Sequence, residues 1–391
     1  MNHEEQYSRC TLLQHYGESA PPEGAPAFPL FQNSNFLYPS HEEFVEAISN
    51  TSGHSPYIYS RIGNPTVDLL ERKIAKLEGA EACRATAAGI AAITAVLMDA
   101  AEPGAHFIAE EFAYGSVRQL CTEVLSKMGV TLTVVDGRRA ENVLDAVRPE
   151  TKLIYLESPS SMVFHLQDIR RIAAYAREKG IRTAIDNTYS TPLFQRPIEM
   201  GVDLVVHSCS KYLGGHSDLI GGAICGSRED IDRISRGQIH LWGNIMAPFP
   251  AWLVLRGMRT LGVRLRQHQE ASLRLASWLE QHPAVESVNH PALPTNPQRE
   301  LFLSQMSGAG GLFSFVPQVQ DEARLVGFVN SLRLFRKGIS WGGFESLALL
   351  ARVAPSWAPG GFWLVRVFVG LEDEEDLQRD LEQALEQIRP S

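Results

Sequence analysis

Between about residues 80 and 240, short apolar runs alternate with amphipathic stretches, and this alternation constrains the fold more than any other feature of the chain. The runs "HFIAEE", "TLTVVD", "KLIYLESP", "RTAIDNT", "DLVVHS" and "LIGGAIC" read as strands. Stretches such as "YGSVRQLCTEVLSKMG" and "DIRRIAAYAREKG" lie between them with helical spacing. Parallel strands need crossovers of this length, and crossover helices cover both faces of a sheet. The expectation is an α/β protein with a large, mostly parallel sheet. Many of the runs end in glycine or small polar residues, at the carboxyl edge where open α/β sheets bind ligands.

Past residue 245 the pattern changes. "LRGMRTLGVRLRQHQEASLRLASWLEQHP" reads as one long helix, followed by "GLFSFV", "DEARLVGFVNSLRL", "FWLVRVFVGLE" and an acidic helix, "EDEEDLQRDLEQALEQI". A chain of 391 residues exceeds what one core usually supports. Three parts are expected: an extended arm over 1–60, a ligand-binding domain over 61–245 and a smaller α/β domain over 246–391. The arm holds the proline-rich "SAPPEGAPAFP" and needs another surface to dock on.

Composition removes several partners. A net charge of −9 offers nothing to nucleic acid or an anionic membrane. The most apolar window, "ATAAGIAAITAVLMDAA", contains a glycine and runs into acids, so it reads as a buried helix and not a membrane span. "MNHEEQYSRC" lacks the basic start and apolar core of a secretory signal. Five cysteines without a CxxC pair read as reduced thiols in a cytoplasmic protein. Twelve histidines show no metal-ligand spacing, and no metal is expected.

Lys211 follows the apolar run "DLVVHS" and stands beside Ser208, Ser210 and a glycine-rich turn. In a cleft, desolvation lowers a lysine's pKa, and the neutral amine can form an imine with an aldehyde. Asp186 closes another apolar run, and pyridoxal phosphate (PLP) needs such an anion at its ring nitrogen. In "RATAAGIAAI", Ala88, Gly89 and Ile90 open a helix whose free N–H groups suit a phosphate, with Ser208 and Ser210 as further donors. Tyr59 and Arg61 add a hydroxyl and a forked donor. Tyr114 lies between a strand and a helix, where an aromatic ring can stack on the cofactor. Arg366, a charge within "WLVRVFVG", suits a substrate carboxylate. Singly, each has an ordinary explanation: a loop lysine, a capping aspartate, a close-packed helix, a core aromatic, an arginine paired internally. The set together is far more specific.

At these residues the chain resembles the Cys/Met-metabolism PLP-dependent enzymes, the cystathionine γ-synthase/β-lyase group, over nearly its whole length. "YSRIGNPT", "AAGIAAI", "AYG", "ESPSS", "DNTYSTPLFQRP", "HSCSKYLGGHSDLIGG", "SWGGFESL" and "LVRVFVGLED" carry the likeness. The resemblance implies that Lys211 holds the cofactor, Asp186 meets its ring nitrogen and Tyr114 stacks on it. It assigns the phosphate to Ser208, Ser210 and the backbone from Ala88 to Ile90. Tyr59 and Arg61 fall on the pair lent to a neighbouring subunit's phosphate. Arg366 and Ser340 fall on the substrate-carboxylate site, with Trp341 beside them. It further implies the aspartate-aminotransferase type of fold, with a sheet of the seven-stranded kind, and a homotetramer of two catalytic dimers with shared active sites.

The C-terminal half, with "SWGGFES", resembles the bacterial cystathionine β-lyases. That implies α,β-elimination from cystathionine or a related S-substituted cysteine to a thiol, pyruvate and ammonia. "YSRIGNPT" and "DNTYSTPLFQRP" are more similar to the γ-synthase/γ-lyase side, so γ-replacement or γ-elimination on O-acylhomoserine or cystathionine is the alternative. Ala87-Ala88, Ser210, Ile339 and Ser116 depart from the usual family residues; Ser116 stands where methionine γ-lyases carry a reactive cysteine. Residues 351–363 match no family pattern, so the substrate's distal group is not legible.

Overall fold

The computed structural model describes residues 7–18, 22–49 and 57–389. Parts of the expected arm, at 1–6, 19–21 and 50–56, lie outside the described residues. Seven strands form the first sheet: β1 (Ala82–Thr86), β2 (His106–Glu110), β3 (Thr131–Val135), β4 (Thr151–Glu157), β5 (Arg182–Asp186), β6 (Leu204–Ser208) and β7 (Gly222–Gly226). Their order is β1-β7-β6-β5-β4-β2-β3. β2 to β6 are parallel, and β7 runs against both β6 and β1.

Side-chain alternation explains why these runs are apolar throughout. Phe107, Ala109, Leu153, Tyr155, Ala184, Leu204, Val206 and Ile224 pack into one buried cluster with the helix Gly89–Asp99. The intervening Ile108, Ile154, Leu156, Ile185, Val205, Ala223 and Cys225 pack into another, with the helices Pro65–Glu78 and Ile169–Glu178. Both faces are therefore covered, as a parallel sheet requires. β1, "ACRAT", was not expected from sequence because it has no apolar run. A buried ion pair supports it: the Arg84 guanidinium lies 3.0 Å from Glu71, whose other oxygen accepts from the Ala85 N–H at 2.8 Å.

Two helix expectations are corrected. The stretch 114–129 is not one helix. An α-helix (Gly115–Gln119) passes into a π-turn (Leu120–Val124) and a 3₁₀ turn (Leu125–Met128). Thr122 and Ser126 donate back to the carbonyls of Arg118 and Thr122 at 3.0 and 2.6 Å, a side-chain competition that distorts helices. The long helix expected past residue 255 is two, Pro248–Arg259 and Leu261–Glu280. The Gly257 carbonyl at the break accepts from Thr260 and from Arg264, at 3.2 and 2.8 Å.

A smaller sheet follows, built from β8 (Val285–Asn289), β9 (Leu312–Pro317), β10 (Arg336–Lys337), β11 (Leu347–Val353) and β12 (Phe362–Phe368), in the order β10-β11-β12-β9-β8. Phe313, Phe315, Val365 and Val367 face the helices Leu261–Glu280, Glu322–Ser331 and Glu374–Leu385. The alternate residues, Leu312, Val316, Leu364 and Phe368, pack with residues of the first sheet's side. Arg366 shares that second face, which puts it at the junction of the two sheets. Among the described residues no helix is long and apolar enough to cross a membrane.

Candidate active site

Three parallel neighbours, β4, β5 and β6, end in Glu157, Asp186 and Ser208, and Glu157 is the register partner of Asp186. Just past β6 the chain turns tightly: the Lys211 N–H donates to the Ser208 carbonyl at 3.2 Å, and Gly215 N–H to the Lys211 carbonyl at 2.7 Å. The loop between β10 and β11 crosses this turn. Gly342 has φ +87°, and a Cβ there would lie 2.8 Å from the Tyr212 nitrogen and 2.9 Å from Lys211 Cα, so the crossing requires glycine. The loop thereby places Ser340 and Trp341 against the lysine. Lys211 Nζ donates to Ser340 Oγ at 2.6 Å and lies 5.4 Å from the Trp341 ring centre, while Tyr212 meets that ring edge-on at 5.4 Å.

Burial, and then the Arg366 charge, pull the Lys211 ammonium down to about 8; Asp186 acts in the opposite sense. Burial also holds Arg366 down at about 10. Its guanidinium donates to the Ile339 carbonyl at 2.6 Å, and among the described residues no carboxylate pairs with it. A half-buried guanidinium without a counter-charge is a seat for an anion. Asp186 is pushed up by burial despite donation from the Thr188 N–H at 2.9 Å. A cationic partner at this carboxylate would reverse that shift.

The phosphate candidates converge. The helix Gly89–Asp99 starts without a side-chain cap, with Ala88 as its N-cap residue, so its first N–H groups and dipole are offered to a ligand. A Cβ on Gly89 would lie 2.7 Å from Ser208 Cβ and 2.8 Å from its Oγ. The helix start and the serine are thus in closest packing. The Ser208 N–H donates to Thr188 Oγ1 at 2.8 Å, which ties the serine to the residue that bonds Asp186. Ile90 is partly exposed in the first turn. Ser210 Oγ accepts from the Gly221 N–H at 3.1 Å and donates to the Gly221 carbonyl at 3.4 Å, a long bond that its hydroxyl would exchange for a phosphate oxygen.

Tyr59 and Arg61 do not bond to this group among the described residues. Both are exposed at their surface; Arg61 lies over the Tyr59 ring at 5.8 Å and donates to the His240 carbonyl at 3.1 Å. Among the described residues no hydrogen bond or ring contact joins either to Lys211, Asp186, Ser208 or Gly89. Tyr114, half-exposed, begins the helix Gly115–Gln119, and its N–H donates to Glu157 Oε2 at 2.6 Å. Glu157 was not singled out from sequence. Burial and neighbouring Asp186 both push its carboxyl up, and it also accepts from Ser161 Oγ at 2.5 Å. The signal existed: "KLIYLE" ends in an acid just as "RTAID" does.

These groups fit a phosphate-bearing aldehyde with a basic ring nitrogen. The lysine amine has a lowered affinity for its proton, the acid can hold a cationic ring, and the uncapped helix start meets a serine. The unpaired arginine nearby fits the carboxylate of an amino acid. Comparison with known proteins points the same way. The sequence profile of the Cys/Met metabolism PLP-dependent enzymes matches residues 10–386. The chain is 38% identical to L-methionine gamma-lyase of Treponema denticola, over 93% of each chain. It is 36% identical to cystathionine gamma-lyase of Bacillus subtilis, over 97% of this chain and 99% of the other. It is 35% identical to cystathionine beta-lyase MetC of the same organism, over 94% and 93%. The crystal structure of metB from Corynebacterium glutamicum superposes with a TM-score of 0.88 at 32% identity, covering 98% of both chains.

Proposed function

Because the chain belongs to the Cys/Met-metabolism PLP-dependent enzyme family, we propose that it is a PLP-dependent carbon–sulfur lyase acting on cystathionine or a related S-substituted cysteine. The observation that carries this reading is a lysine bonded to Ser340, lowered to about 8 by burial and by the charge of neighbouring Arg366, an arginine that has no carboxylate partner among the described residues. Bound PLP supplies an electron sink for the charge left at the substrate's Cα when its proton departs. The protein's own residues do the rest. Arg366 binds the α-carboxylate and so fixes which Cα bond faces Lys211. Neutral Lys211 Nζ takes the Cα proton and returns it to the leaving sulfur. Asp186 would keep a proton on the ring nitrogen, Tyr114 would lie against the ring, and Ser208, Ser210 and the Ala88–Ile90 backbone would hold the phosphate. Ser340 accepts from the lysine amine, and Trp341 walls the site beside it. Water consumed overall balances the products: thiol, pyruvate and ammonia.

A γ-type reaction is supported equally by the relatives, since the two of highest identity reported above are named gamma-lyases. The two readings separate on one substrate. Cleavage of cystathionine on the β side yields pyruvate; cleavage on the γ side yields 2-oxobutyrate. If only 2-oxobutyrate accumulates, the leading reading is wrong. A panel of S-substituted cysteines, homocysteines and O-acylhomoserines then identifies the distal group.

The same reading divides the chain into the arm 1–60, a PLP-binding domain 61–245 and a C-terminal domain 246–391. It makes the protein a cytoplasmic homotetramer in which Tyr59 and Arg61 serve a neighbouring subunit's phosphate. That neither bonds to its own chain's cluster among the described residues supports this, as do the exposed Leu241 and Trp242 beside His240. Mixing an Arg61→Ala chain with a Lys211→Ala chain tests it: two inactive proteins restore activity together only if sites are shared.

A further inference from the structure

The segment between β11 and β12 made no sense as sequence. In the structure it is two consecutive turns, closed by Ala358 N–H to the Pro355 carbonyl and Gly361 N–H to the Ala358 carbonyl, both at 2.9 Å. Its tip is Trp357. The Arg138 guanidinium lies 3.6 Å from the centre of the Trp357 ring, and Phe112 and His165 meet the ring at 5.7 and 5.1 Å. Arg138 is itself held by a forked contact to Asp136, at 2.9 and 2.7 Å. His165 is kept neutral, with its pKa near 4, by burial and then by Arg138. The three contacts belong to three loops, those after β2, β3 and β4, all at the carboxyl edge of the first sheet. Beside the tryptophan, Ser356 N–H donates to Glu111 Oε2 at 3.0 Å.

Two active-site groups hang on this junction. Phe112 precedes Tyr114 by two residues, and its carbonyl accepts from the Ser161 N–H at 2.9 Å. On the other side, the β11–β12 hairpin carries Arg366. Its register partner Ser314 donates to the Met162 carbonyl at 2.6 Å, and Leu364 on the same face packs with Val163, Val316 and Val353. Resting on the reading of Arg366 as the carboxylate seat, we propose that Trp357 is a positioning residue for the substrate carboxylate. Docked on Arg138, Phe112 and His165, it pins the β11–β12 hairpin to the first sheet and so sets the spacing between the Arg366 guanidinium and Lys211 Nζ.

L-alanine and ethylamine provide the test. They differ by the carboxylate, neither can eliminate, and both perturb the visible absorbance of PLP bound to the holoenzyme. Titrating that absorbance gives the affinity ratio of the two ligands for wild type, Trp357→Ala, Trp357→Phe and Arg366→Leu. Trp357→Ala is expected to weaken L-alanine by about tenfold to a hundredfold and leave ethylamine unchanged, with Trp357→Phe recovering most of the loss. If Trp357→Ala weakens both ligands alike, or neither, the tryptophan has only a structural role and the proposal is overturned. If Arg366→Leu itself leaves the ratio unchanged, the carboxylate seat is elsewhere, and that failure is read independently of Trp357. Should Trp357→Ala not fold, Arg138→Leu removes the stacked cation, keeps the ring contacts and is read by the same ratio.

Discussion

Gly89→Ala is the sharpest test of the phosphate cradle. The backbone there is not left-handed, so alanine is conformationally acceptable, and on helix propensity alone it would stabilise by up to about 1 kcal/mol. Space decides otherwise. The new methyl would stand 2.7 Å from Ser208 Cβ, 2.8 Å from Oγ and 3.0 Å from Cα, which is backbone and cannot rotate away. Overpacking of this kind costs about 1–3 kcal/mol, so the net loss of apoprotein stability is expected near 1 kcal/mol. The effect on the cofactor is larger. Pushing Ser208 off the helix start loses about one hydrogen bond to a charged group, about 1.5–3 kcal/mol, or roughly tenfold to a hundredfold in Kd for PLP. Denaturant unfolding of the apoprotein and equilibrium PLP binding measure the two separately. If stability falls and Kd stays within about twofold of wild type, the Gly89–Ser208 contact is packing alone and the cradle has been misplaced.

Other outcomes follow from the same groups. The Lys211 proton affinity is lowered to about 8, so the neutral amine gains as pH rises through that value; recombination of apoprotein with PLP, followed by absorbance, should accelerate across pH 7 to 9. Arg366→Leu removes a neighbouring cation and should move that midpoint upward, and a downward move would contradict the electrostatic account. Arg84→Ala leaves the buried Glu71 carboxylate without its cation and should cost about 3–5 kcal/mol in denaturant unfolding. Arg84→Lys should recover only part of it, because Arg84 also bonds Ile62 and Ser235.

Much of this protein was legible in one dimension because its central strands are buried on both faces. Ile154, Tyr155 and Leu156 must all be apolar, since successive side chains enter opposite cores, and a run of that kind between helical stretches has few other readings. Asp186 and Lys211 stood out for the same reason, as polar groups at the ends of such runs. Tertiary structure alone decided the rest. β1 holds through Arg84 and Glu71, whose pairing spans thirteen residues of chain. Glu157 matters because register sets it beside Asp186, and pairing between strands is invisible along either one. Trp357 meets Arg138 from more than two hundred residues away. Burial periodicity is written locally, in the order of side chains; contact across a folded interface depends on where two distant segments come to rest, and no spacing within either segment records it.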